Sequence, residues 1–389
     1  LQYQGKTILS LGADMLEIKE VTTKKDLKTF AKFPTELYKD CPYYVPSLYS
    51  DELATFDPKK NFSLKNNDIK GFLCYKDGKV VGRIAGLINK AYNNKTGKKY
   101  IRFSRFEAID DIEVFKALLS AVKDFGKKNG MEIMHGPWGF NDTDREGMLT
   151  FGFDKRSTYS TNYYYPYFCK HMKELGFKDE SKWIERQFVI PDEPYERIVA
   201  ISEKLKKKLD VTELADIMSV KKILKNYGSA FFDTLNLAYG DLDGYVPIVG
   251  RAQDNVLKQF ATIVNLKYIS ILADKEGRVA AFGIVLPSIA DALIKHRGRL
   301  LPFGFIDVLK SMHDPKELEM ALIAVHPEYK NTGINSIVIT RIMKNVVQNR
   351  ISHIESNPML ETNYNIQMQW KFAANDIIKK RQTYIKEIN

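Results

Sequence analysis

The chain has 389 residues but only three cysteines and six histidines. Cys41, Cys74 and Cys169 are far apart and odd in number, and none forms a C-x-x-C pair. That pattern argues against a disulfide framework and against a zinc cluster, so no metal is expected. Free thiols suit a reducing cytosol, and a cytoplasmic location is expected. No apolar run approaches the ~18 residues of a membrane span. The longest, Val279 to Leu286, is strand-sized and ends at Pro287. Residues 1–14 lack a basic stretch followed by an apolar core, so they do not read as a signal peptide. Met15-Leu-Glu-Ile-Lys-Glu-Val reads as a natural start, and residues 1–14 as an added or unstructured leader.

What remains is globular in composition, with 44% hydrophobic and 28% charged residues. The length suggests two domains. Lys plus Arg outnumber Asp plus Glu by 59 to 48, a formal charge of +11. The excess fits an anionic partner such as a nucleotide cofactor, tRNA or a membrane surface, and fits a basic enzyme equally well.

Periodicity predicts an α+β chain. Leu16 to Val21 alternates as a strand. Lys24 to Lys39 has helical spacing, with Thr22 or Thr23 as its cap. Gly71 to Tyr75 and Val80 to Ile88 form a hairpin turning at Asp77-Gly78. Strand Tyr100 to Ala108, helix Val114 to Lys128, strand Glu132 to His135, helix Tyr165 to Leu175 and strand Trp183 to Ile190 follow. After a charged helix, 195–208, the order begins again. It runs through strand 209–214, helix Val220 to Leu237, hairpin 268–286, an insert from Ala290 to Pro315, strand Leu318 to Val325 and helix Ile334 to Asn349. Strand Ile351 to Glu355, helix Ile366 to Phe372 and strand Ile378 to Ile388 complete it. Gly78-Lys-Val-Val answers Gly277-Arg-Val-Ala, and Ile133 to Pro137 answers Ile354 to Pro358. The chain therefore reads as a duplication: residues 15–191, a linker helix at 192–208, and residues 209–389.

That element order resembles the GNAT N-acyltransferase fold. The resemblance is sharpest at Val325-His-Pro-Glu-Tyr-Lys-Asn-Thr-Gly-Ile-Asn335, where the family carries V-x-P-x-x-R/Q-x-x-G-x-G/A between a strand and a helix. Lys330 stands for Arg or Gln, Gly333 matches, and Asn335 replaces the last Gly or Ala. A second resemblance covers nearly the whole chain from Met15. His135 to Gly147, Gly152-Phe-Asp154, Asn162 to Tyr167 and Leu175-Gly-Phe177 look like a mostly uncharacterised bacterial GNAT group. Together they imply two tandem GNAT-like domains with mixed, mostly antiparallel sheets, and acetyl-CoA or another acyl-CoA as co-substrate.

The resemblance also implies site residues. Backbone N–H groups at a helix start bind pyrophosphate, aided by the helix dipole. Val325, Lys330, Asn331, Thr332, Gly333, Ile334, Asn335 and Asn363 are the expected cofactor-binding set. In the first half the matching segment, Ile109 to Val114, has no glycine and carries Asp110, Asp111 and Glu113, which would repel a pyrophosphate. Only the second half is expected to bind coenzyme A, with the thioester pointing toward the splay between Leu318–Val325 and Ile351–Glu355.

Acyl transfer to an amine needs a base, an oxyanion donor and an acid for the thiolate. Glu319 and Glu355 are the base candidates, each with a solvated strand-end carboxylate as the bland alternative. The family's acid is a Tyr seven residues after the Asn, a count that reaches Trp370 here. Tyr364 and Tyr384 are substitutes, of which Tyr384 is taken forward. Asn141, Asp144, Glu146 and Tyr164, from a polar loop and a tyrosine run, are expected to recognise a cationic amine or to hold the halves together. His135 reads as structural and Trp138 as a cleft plug. The basic runs Lys204 to Lys208 and Lys379 to Arg381 read as solvated faces more readily than as nucleic-acid contacts. The leading expectation is an acetyl-CoA-dependent N-acyltransferase acting on a small-molecule or peptide amine. The alternatives are a catalytically weak GNAT-fold binding protein for an acyl-CoA or another ligand, and an aminoacyl-tRNA-dependent transferase.

Overall fold

A computed structural model describes residues 2–3, 6–11, 14–140, 144–193, 196–242, 245–369 and 375–388. The supposed leader contributes structure. Strand β1 (Lys6–Leu11) pairs antiparallel with β2 (Asp14–Glu20), because backbone N–H and C=O groups at an otherwise open sheet edge take a partner when one is adjacent. Helix α1 (Lys24–Leu37) starts at a reciprocal cap. The Asp26 amide donates to the Thr23 hydroxyl at 3.1 Å, and the Thr23 amide donates to the Asp26 carboxylate at 3.2 Å. Helix α2 (Tyr49–Ala54) precedes the hairpin of β3 (Asn67–Lys76) and β4 (Lys79–Asn89). The hairpin turns on Asp77 and Gly78, whose φ angles of 52° and 73° match the right-handed twist of the flanking strands.

Strand β5 (Tyr100–Ala108) leads to α3 (Ile112–Lys128), where Asp111 accepts the Glu113 amide at 3.0 Å. Strand β6 (Ile133–Gly136), helix α4 (Tyr167–Glu174) and strand β7 (Lys178–Phe188) follow. The second half runs α5 (Glu196–Leu209), α6 (Val220–Tyr239), α7 (Arg251–Ile263), β8 (Ile269–Ala273) and β9 (Val279–Pro287). The expected insert is a helical hairpin, α8 (Ala290–Lys295) and α9 (Gly304–His313). Then come β10 (Glu317–Val325), α10 (Ile334–Gln348), β11 (His353–Glu355), α11 (Tyr364–Gln369) and β12 (Asn375–Glu387).

One continuous sheet joins the halves, in the order β1-β2-β3-β4-β5-β6-β12-β7-β11-β10-β9-β8. The last strand of each half is exchanged. β12, from the end of the chain, lies antiparallel between β6 and β7 in the first half. β7, from the first half, pairs with β11 of the second. In the first half, α3 and α4 cover one face, with Phe115 and Phe168 at 4.9 Å between centroids, and α1 covers the other through Phe30, Leu73 and Ala85. In the second half, α10 packs on Ala280, Ala281 and Leu318, while α6 lays Phe231 against Phe282 at 4.2 Å. Each buried Leu or Phe among these contributes about 1.5–3 kcal/mol.

Two adjacent pairs are parallel, and these define the clefts. β5 pairs with β6 only over Tyr100–Arg102, and β10 with β11 only over Glu317–Glu319. Beyond those residues β5 and β10 run on without these neighbours, so a wedge opens in each half.

Candidate active site

The two wedges are chemically unlike. The third register pair is Glu319 with Glu355 in the second half and Arg102 with His135 in the first. The first wedge is filled. Trp138 is fully buried, its backbone N–H donates to Phe103 O at 2.9 Å, and the Arg102 guanidinium lies 4.8 Å from its ring. His135 meets Glu180 at 2.7 Å. Burial pushes the Glu180 carboxyl up, but His135, the Ser181 amide and the Thr383 hydroxyl outweigh it and hold the group well below the usual range. His135 is thus a packed structural residue and Trp138 a plug.

In the second wedge Glu319 is 9% exposed. Its carboxylate accepts the Ser288 hydroxyl at 2.7 Å and the Tyr159 backbone N–H at 3.0 Å. Burial pushes its pKa up to about 7; the adjacent Glu355 adds to the rise and the two hydrogen bonds moderate it. A carboxyl poised there exchanges protons readily near neutrality. Behind it lies a buried charge network. The ammonium of Lys379 reaches both Glu185, at 3.0 Å, and Glu355. Arg381 pairs with Glu185 and donates to Asn162 O. Burial pushes Glu185 up, but Arg381 and Lys379 win, so it stays ionised. Lys379 and Arg381 are therefore not a solvated face. Both are buried because β12 enters the middle of the sheet.

The first half contributes to this wall. Tyr159 bonds Glu319 through its backbone and approaches Asp51 through its hydroxyl at 3.4 Å. Ser160 donates to Asn357 at 2.7 Å, and Asn357 in turn reaches Ala321 O at 3.3 Å across the wedge.

The loop after β10 has the shape of an anion cradle. Val325 ends the strand, residues 327–329 make a single 3-10 turn, and Asn331 and Gly333 take positive φ of 64° and 82°. Gly333 caps α10, so Ile334 and Asn335 are its first residues, and the Thr332 hydroxyl accepts the Ile334 amide at 3.3 Å. Lys330, Asn331 and Gly333 are exposed. A side chain on Gly333 would stand 3.4 Å from Leu205 of α5, so the helix bearing Lys204 to Lys208 flanks the loop. The sequence marked that run only as basic; its place beside the cradle follows from how α5 packs on α10.

Other expected residues sit elsewhere. Strand exchange carries Tyr384 into the first half, fully buried and paired with Gly136 rather than near Glu319. Asn363 caps α11, accepting the Ile366 amide at 3.3 Å. Tyr164 is fully buried against Phe168, and burial raises its hydroxyl pKa. Asp144 accepts the Phe140 amide at 2.5 Å within its own loop, and Glu146 is buried. Asn141 and Trp370 lie outside the described residues. Ser288, Tyr159, Glu185 and Lys379 surround the carboxylates. Tyr159 and Lys379 read in the sequence only as members of a tyrosine run and a basic run, and Ser288 and Glu185 carry no signal there, since their proximity depends on long-range pairing.

No known family model matches the sequence. Protein YghO of Escherichia coli K12 is 24% identical over 394 residues, covering 95% of each chain. A bacterial ceramide synthase of Caulobacter vibrioides is 23% identical over 301 residues, 77% of each. Among solved structures, a tandem GNAT protein from the clavulanic acid biosynthesis pathway superposes with a TM-score of 0.56 at 10% identity, covering 96% of this chain and 99% of that one. A GCN5-related N-acetyltransferase from Sphaerobacter thermophilus gives 0.52 at 8% identity, covering 96% of each. The fold is a tandem GNAT fold, as the element order predicts.

Proposed function

We propose that the tandem GNAT scaffold of this chain transfers an acyl group from an acyl-CoA to an amine, with the chemistry in the second half. The observation that carries this reading is Glu319, a buried carboxyl near neutral pKa at the point where β10 and β11 part. Lys330 to Asn335 would take the pyrophosphate, helped by the α10 N-terminus and the basic end of α5. The thioester supplies an activated acyl carbon. Glu319 would accept a proton from the ammonium of the acceptor, and Ser288 and the Tyr159 amide would steady the carboxylate for that exchange. Lys379, between Glu185 and Glu355, would offset part of the opposition that Glu355 presents to the ionisation of Glu319.

The acceptor class is suggested by the relative named as a bacterial ceramide synthase. An amine on a long aliphatic chain is therefore the acceptor we favour over a peptide amine. The test is release of free CoA thiol from acetyl-CoA and longer acyl-CoAs, with long-chain amino alcohols as acceptors. Turnover that falls about 10²–10⁴-fold in Glu319→Gln, with acyl-CoA affinity kept, supports the reading. Absence of acyl-CoA binding by calorimetry, or full activity in Glu319→Gln, overturns it.

A further inference from the structure

The insert between β9 and β10 is a rigid hairpin with two unlike sides. Its inner side is anchored. Ala290, Ala292, Leu293 and Gly304 are buried, and Ala290 and Leu293 pack with Val45 of the first half. The tip is pinned by Tyr49 N–H donating to Gly298 O at 2.8 Å. There is no room for a side chain at Gly298, where a Cβ would sit 2.1 Å from Ser47 O. The outer side displays Leu301 at 76% exposure, Phe303 at 67%, Leu309 at 57% and Ile306 at 52%, with Phe305 at 42%. Phe305, Ile306 and Leu309 share one face of α9 by their spacing. Five large apolar side chains on so short a segment are far from the scattered exposure ordinary for a surface.

Cations edge this ridge. Lys295, Arg297, Arg299 and Lys310 face one carboxylate within 294–310, Asp307, which bonds Lys295 at 2.7 Å and His296 at 2.6 Å. Lys295, His296, Arg297 and Arg299 also line a cavity of about 400 Å³ that is shared with Lys32 of α1. Two carboxylates line it against these cations and Arg83: Glu36, and Glu52, which Arg83 and Arg105 neutralise, outweighing its burial and holding it at about 2. The hairpin thus offers an apolar edge and, beside it, a basic hollow.

We infer that this hairpin docks the protein on an anionic lipid bilayer, with Leu301, Phe303, Ile306 and Leu309 entering the acyl boundary and the flanking cations meeting headgroup phosphates. A second copy of the chain fits worse, because a two-fold contact would bring the same basic edge against itself. The formal charge of +11 adds long-range attraction to the same surface. The hairpin grows from the strand ends that carry Ser288 and Glu319, so docking would set the proposed site beside the membrane.

Flotation of the full chain with vesicles of phosphatidylcholine alone, or with roughly one quarter phosphatidylglycerol, tests this. The wild type is expected to float with the anionic vesicles. Phe303→Glu with Leu309→Glu, both at exposed positions, should cut recovery about tenfold with an unchanged melting curve. Arg297→Glu with Arg299→Glu should abolish the preference for phosphatidylglycerol. Failure of the wild type to float overturns the inference. So does equal flotation of the Phe303→Glu/Leu309→Glu protein, or light scattering that shows a dimer which those substitutions dissolve. A wild type that floats but transfers no acyl group would count against the catalytic reading and leave this one standing.

Discussion

The raised pKa of Glu319 gives the proposed base two measurable pH signatures, one in turnover and one in stability. As a base it must be ionised, so kcat/KM should rise with pH through about 7 and then level off. Its stability effect has the opposite sense. A carboxyl whose pKa is raised on folding contributes fully below about 4.5, and that contribution is lost as pH climbs through 7. Glu319→Gln should therefore match the wild type in urea near pH 4 and exceed it by up to about 3 kcal/mol at pH 8. An identical difference at both pH values would show that the carboxyl is not perturbed. Lys379→Met should cost about 3–5 kcal/mol in urea unfolding, because it leaves Glu185 and Glu355 facing one another in a buried site. At this scale the sequence is half legible. Strand alternation and order single out Glu319 and Glu355. Lys379 and Arg381 look like any surface run, since their partner Glu185 stands 196 residues before Arg381.

Among elements, the loop from Val325 to the start of α10 is the most readable, because its requirements are local. A strand must end, the backbone must turn left-handed at Gly333, and a helix must begin. Gly333→Asp should abolish CoA binding by calorimetry, while Gly333→Asn should keep most of it. Both residues tolerate positive φ, so the pair isolates the charge. Equal loss in the two would mean that space against Leu205, not repulsion, sets the requirement. α7 does carry a local signal, since Ala252, Val256, Leu257, Phe260 and Ile263 fall at helical spacing, whereas the leader is hard to read because edge pairing has little local signal. The place of Tyr384 is illegible for a different reason. Periodicity identifies its strand, but nothing in the strand tells which half it will enter.

For the whole molecule, element order and duplication suffice to give the fold class, and strand exchange is the part that composition and periodicity do not encode. The consequence for stability is direct. Removing residues 375–389 should unfold the first half as well as the second, because β12 fills the gap between β6 and β7. Thermal unfolding of the full chain is expected as one transition by both circular dichroism and tryptophan fluorescence. Two separated transitions, or a folded and monomeric 15–191 fragment, would show that each half closes its own sheet.

The same exchange sets a timetable during synthesis. β7 ends at Phe188 and β12 begins at Asn375. At about 5–20 residues per second the ribosome needs roughly 10–40 s to bridge that interval. Throughout it β6 and β7 lack the strand that joins them, so the nascent first half stays incompletely folded, with their backbone N–H and C=O groups and apolar surface exposed. A strand from a neighbouring polysome could take the place reserved for β12. The final residues of the chain therefore act as a latch whose arrival ends a period of exposure, and the cell's chaperone supply during that period should govern the yield of native protein.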